Sequence, residues 1–101
     1  MKKWSGHNVH IGLLEVEGRV PVSASLKDKR RVIQSAQAKL RNKFNLSVAE
    51  VGYQDNRQLT ALAVVGVGSH AKVVEQELRQ ALTVLENTDG LEVTYTSITF
   101  M

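Results

Sequence analysis

The run Leu59-Thr60-Ala61-Leu62-Ala63-Val64-Val65-Gly66-Val67 constrains this chain more than any other segment, because it places nine successive residues without a charge or a proline. Entered through the polar, turn-forming Gln54-Asp55-Asn56-Arg57-Gln58, it reads as a strand in the middle of a sheet. A central strand needs neighbours. Val9 to Glu17 supplies one, with Ile11 and Leu13 on one face, Leu14 and Val16 on the other, and Gly18 ending it. From Leu46 to Tyr53, Ala49, Val51 and Tyr53 share a face while Val48 and Glu50 share the other, and the carboxylate predicts an edge position. Leu91 to Phe100 alternates Leu91, Val93 and Tyr95 against Glu92, Thr94 and Thr96 as a fourth strand.

Between these strands the apolar period changes from two to 3.6. After Pro21, Ser25 is placed to cap a helix, with Asp28 three residues on in a variant of the capping box. Leu26, Ile33, Ala36, Leu40 and Phe44 then recur on one helical face, with Val32 at its edge and Asn45 closing the run. Ser69 offers a second cap, and Ala71, Val74, Leu78, Ala81, Leu82 and Leu85 repeat with helical period until Asn87-Thr88-Asp89-Gly90 makes a turn. The order is βαββαβ, which predicts an α+β fold of the ferredoxin-like plan: a two-layer sandwich of a four-stranded antiparallel sheet with both helices on one face. In that plan the first and third strands are central and the other sheet face is open. An apolar residue of the central strand on that face, such as Leu62 or Val64, would sit poorly in water, which makes a homodimer formed sheet to sheet an expectation.

A chain of 101 residues with 43% hydrophobic content fits one domain over residues 9–101, preceded by an N-terminal extension of residues 1–8. The absence of cysteine excludes disulfides, thiolate metal sites and cysteine nucleophiles, and suits a reducing cytosol. Lys2-Lys3 is followed by no apolar stretch long enough for a signal peptide or a membrane span. The expected setting is therefore cytoplasmic, with no membrane contact.

Charge is distributed unevenly. Of the 13 basic residues, seven lie between Lys27 and Lys43, opposed there only by Asp28, so the first helix carries +6 in a chain whose total is +3. Several of these cations fall in the first turns, where aligned peptide dipoles are already positive and each exposed cation costs roughly 0.3–1 kcal/mol. Such an end favours an anion, and phosphate suits Lys and Arg beside free N–H groups. At about 100° per residue, Lys27, Arg30, Arg31, Gln34 and Arg41 share one polar face opposite Ile33, Ala36 and Leu40. The plain alternative is a solvated face, kept basic for solubility or paired with Glu15, Glu17 or Glu50. Lys29 lies near the apolar stripe instead, so it must snorkel out or meet a carboxylate of the sheet.

Ser25-Leu26-Lys27-Asp28-Lys29-Arg30, followed by Leu40-Arg41-Asn42-Lys43-Phe44-Asn45, Ser47-Val48-Ala49-Glu50-Val51 and Gln54-Asp55, resembles the YlxP-like family of small bacterial proteins from about Val9 onward. The resemblance implies a ferredoxin-like fold and a bacterial cytosolic protein whose gene commonly lies among those for translation initiation and ribosome maturation. It supplies no function. Here the eight residues before Val9 precede the usual family start, and Asn56-Arg57 replaces an apolar and aromatic pair.

No catalytic signature accompanies these features. His7 and His10 form an H-x-x-H pair without the helix or third ligand a zinc site requires, and His70 reads as a surface residue at the start of the second helix. Arg19, Asn42 and Asn45 have the chemistry of a phosphate cradle but no assembling motif. Glu50 and Asp55 are two carboxylates suited to acid–base work, against simpler roles: Asp55 bonding its own turn and Glu50 answering the helix cations. The central strands lack the aromatics on which RRM domains stack bases. The expectation is a non-enzymatic, RNA- or ribosome-associated protein without cofactor or metal, contacting phosphates through Lys27, Arg30, Arg31, Gln34 and Arg41. The alternative is a homodimeric module binding protein or a small anion, and a phosphate-handling enzyme ranks third.

Overall fold

The computed structural model describes residues 7–101. Six elements follow in the expected order: β1 (His10–Arg19), α1 (Leu26–Lys43), β2 (Ser47–Gly52), β3 (Leu59–Gly68), α2 (Ala71–Glu86) and β4 (Glu92–Phe100). The sheet runs β2-β3-β1-β4 with every neighbouring pair antiparallel. This is the ferredoxin-like arrangement, and the strands apolar on both faces occupy its centre. β1 and β3 pair without interruption from His10↔Gly68 to Arg19↔Leu59.

Both helices cover one face. Leu14 and Val16 of β1, Leu62 and Val64 of β3 and Val48 of β2 are buried with Ile33, Ala36 and Leu40 of α1 and Val74, Leu78, Ala81 and Leu85 of α2. Each fully buried leucine contributes about 1.5–3 kcal/mol against exposure, so this layer holds the fold together. Leu62 and Val64 therefore point at the helices and not at the open face. Register decides this: Val16 pairs with Leu62 and Leu14 with Val64, and residues paired across strands share a face. Ile11, Leu13, Glu15, Glu17, Leu59, Ala61, Ala63, Val65 and Val67 occupy the other side.

Three local expectations change. The second helix is capped by His70, whose side chain makes no capping bond, because β3 runs to Gly68 and the first helical bond is Val74 N–H to the His70 carbonyl. Ser69 stands one residue too early. The first helix keeps its predicted cap: Ser25 Oγ accepts from Asp28 N–H at 3.1 Å and Asp28 Oδ2 accepts from Ala24 N–H at 3.3 Å. It ends at Phe44 rather than Asn45. In β4, alternation breaks at a bulge opposite Glu17 and Gly18: Val93 pairs with Gly18, Tyr95 with Glu17. Val93 consequently turns toward the helices while Tyr95, 54% exposed, lies on the open face.

Two glycines of β1 permit close approach. A Cβ at Gly12 would lie 2.8 Å from Leu78 Cδ1, so α2 settles directly on the strand, and one at Gly18 would lie 2.9 Å from the Glu92 carbonyl oxygen at the bulge. Among the described residues no helix is long and apolar enough to cross a membrane.

Candidate nucleic-acid interface

The chain turns from α1 into the edge strand β2 within three residues, so the helix lies alongside that strand. Ile33 and Leu40 are buried on the side toward the sheet, and residues one step round the helix overhang β2. Arg30, Gln34, Gln37 and Arg41, spaced i, i+4, i+7 and i+11, line an open groove of about 370 Å³ whose other wall is Val48, Ala49 and Glu50. Along the helix axis Arg30 and Arg41 are separated by about 16 Å, from a rise of 1.5 Å per residue. Arg41 also reaches the Val48 carbonyl with Nη2 at 3.4 Å, fixing its guanidinium at the strand. A second open concavity of about 450 Å³ shares Arg41 and Val48 and continues past Asn45 and Ser47 to Val67.

Of the five residues expected on this surface, Arg30, Gln34 and Arg41 meet in the groove, and Lys27 and Arg31 are exposed on the adjoining outward side of the helix. Gln37 was missed, although its position seven residues after Arg30 places it on the same stripe. None of Lys27, Arg30, Arg31 or Arg41 has a carboxylate within 4 Å among the described residues. Glu15 and Glu17 do not answer them, being on the opposite face of the sheet.

Of the two courses open to Lys29 on the apolar stripe, it turns inward to a carboxylate of the sheet. Its side chain is fully buried, and Nζ donates to the carbonyls of Tyr53, Asn56 and Leu59 at 2.6, 2.8 and 2.7 Å while lying 3.1 Å from Glu50 Oε2. Thr60 Oγ1 donates to the same carboxylate oxygen at 2.6 Å. Glu50 thus answers a cation of the first helix, the simpler of the two roles open to it. The buried ammonium also ties down the β2–β3 turn, where Tyr53 sits at φ 58°, a left-handed conformation that costs a non-glycine residue about 1–2 kcal/mol. Asn56, not Asp55, bonds the turn's backbone: its Oδ1 accepts from Gln58 and Leu59 N–H, both at 2.8 Å.

The remaining catalytic possibilities come apart spatially. Arg19 pairs with Glu92 at 3.0 Å at the end of β1 that faces Leu59, whereas Asn45 lies before Ser47, which faces Val65. Arg19, Asn42 and Asn45 thus stand at opposite ends of the sheet. His70 is exposed at the α2 cap. Among the described residues no three His, Cys, Asp or Glu side chains come together as a metal-holding group.

Fold and surface define an open-faced α+β sandwich whose most basic helix flanks a free sheet edge. The chain belongs to the family described as protein of unknown function DUF503, whose model matches residues 11–98. The uncharacterized protein YlxP of Bacillus subtilis (strain 168) is 36% identical over 86 residues, covering 85% of this chain and 94% of that protein. Among solved structures, the de novo designed protein Foldit4 superposes with a TM-score of 0.53 at 13% identity, over 91% of this chain and 97% of the design. That likeness is one of fold.

Proposed function

We propose that this protein acts by binding rather than catalysis, and that it holds the phosphate backbone of RNA along the groove between α1 and β2. The observation that carries this reading is the stripe of Arg30, Gln34 and Arg41, which faces a groove with no carboxylate free to neutralise it. Two guanidiniums about 16 Å apart are far enough apart to engage different phosphates of one strand. Gln34 and Gln37 between them offer amide donors to phosphate or sugar oxygens. Lys27 and Arg31 broaden the positive field on the solvent side. The family resemblance to proteins encoded among translation and ribosome-maturation genes favours ribosomal RNA or its precursor in the cytoplasm as the partner.

Such contacts read charge and shape more than sequence. Purified protein is expected to carry RNA at low salt and release it at high salt, with log affinity against log salt falling at a slope of roughly −3 to −4 if about four phosphates of a duplex are engaged. Arg30→Glu with Arg41→Glu should weaken binding for all RNA sequences alike and flatten that slope by about 2. A salt-independent affinity, or an unchanged slope in the double variant, would exclude the groove as a backbone site. Displacement of RNA by inorganic phosphate at millimolar concentration would instead assign the groove to a small anion.

A further inference from the structure

The sheet face away from the helices carries a second surface whose chemistry is opposite to that of α1. Glu15 and Glu17 project from β1 onto it, flanked across the ladder by Ala63 and Ser97 for the first and by Ala61 and Tyr95 for the second. The small side chains leave a shallow hollow of about 140 Å³, bordered by Leu13, Val51 and Tyr95. Both carboxylates are exposed and neither has a cation within 4 Å among the described residues. Around them the face is apolar and open to water: Val51 is 61% exposed, Val67 62% and Tyr95 54%. Exposed apolar area around unpaired like charges costs the free molecule both ways, since it leaves surface unburied and places two anions on one strand face.

We infer that this face receives a basic amphipathic helix of a partner protein. The charge pattern selects that occupant over a second copy of the chain. Stacking two such faces about a dyad would bring four carboxylates into one interface, and Arg19 at the end of the same strand is already paired with Glu92. A helix fits the dimensions. Glu15 and Glu17 are two residues apart on a strand, about 6.8 Å at 3.4 Å per residue, and cations at i and i+4 of a helix are about 6 Å apart. A helix about 10 Å wide covers β1 and the alanine floor of β3 beside it, spaced about 4.8 Å, with its apolar flank against Leu13, Val51 and Val65.

Two 18-residue model helices test this, sharing one leucine face and bearing either lysine or glutamate on the other. The lysine helix is expected to bind the full-length protein and to shift backbone amide resonances of β1 and β3 open-face residues, with the glutamate helix bound at least about tenfold more weakly. Glu15→Gln with Glu17→Gln should weaken the lysine helix by about five- to tenfold while leaving RNA affinity unchanged, which separates this face from the α1 groove. Equal binding of the two helices, unchanged affinity in the double variant, or resonance shifts confined to α1 would overturn the inference. So would a concentration-dependent dimer in sedimentation that Ala63→Arg abolishes, because the face would then belong to a second copy.

Discussion

Lys29 spends its charge inside the protein. An ammonium carries three N–H donors, and here three carbonyls of one turn take them while Glu50 supplies the counter-charge. Removing one partner of a buried pair typically costs about 3–5 kcal/mol, because the other charge stays behind without compensation. Lys29→Met is therefore expected to lower unfolding free energy in urea by about that amount, and Lys29→Arg should not rescue it, since a planar guanidinium cannot converge on three carbonyls arranged for a single nitrogen. Thr60→Val removes only the 2.6 Å hydroxyl contact to Glu50 and should cost less, about 1–3 kcal/mol. A Lys29→Met protein with the parent's urea midpoint would show that the turn closes without the ammonium. This assignment separates the cations of α1 by role: Lys29 builds the β2–β3 connection, and Lys27, Arg30, Arg31 and Arg41 keep their charge for the outside.

At the scale of elements, two glycines of one strand make a graded test of how closely the layers fit. An added methyl at Gly18 meets the backbone oxygen of Glu92 at 2.9 Å, which cannot move without disturbing the bulge, whereas at Gly12 the nearest atom is the tip of Leu78 at 2.8 Å. Overpacking typically costs about 1–3 kcal/mol. Gly18→Ala should fall at the upper end and Gly12→Ala lower, because a leucine methyl can rotate aside; the reverse ranking in thermal denaturation would mean that α2 is held more rigidly than β4. For α1, Ser25→Ala removes the bond to Asp28 N–H and should cost about 1 kcal/mol, read as a fall of about 4 °C in Tm. The α2 start has no such side-chain cap, so Ser69→Ala should leave Tm unchanged within about 1 °C.

Among the described residues the molecule presents opposite charge on its two sides, a basic first helix and a sheet face with Glu15 and Glu17, and the modest net charge of +3 conceals this. Because the two surfaces lie on separate layers with a packed core between them, their substitutions should act independently. A protein combining Arg30→Glu, Arg41→Glu, Glu15→Gln and Glu17→Gln is expected to lose RNA and lysine-helix binding by the same factors as the separate doubles, within about twofold; a larger discrepancy in titrations would reveal coupling through the sheet. Much of this organisation was legible in the chain. Strand and helix periods gave the βαββαβ order, charge-free Leu59–Val67 gave the centre, Glu50 gave an edge, and the phase of Lys29 on the apolar stripe left it two courses, to snorkel out or to meet a carboxylate of the sheet. These are local properties, set by the repeat of one element and by the chemistry of its own side chains. Other features depend on distance across the chain. Which face Leu62 and Val64 take, why Tyr95 departs from the alternation, which of the α1 cations border a groove, and that three carbonyls of the 53–59 turn converge on one ammonium all follow from register and packing between segments far apart in sequence. A pattern of period two states that a strand has two faces, and only the helices that settle on one of them determine which face stays in water.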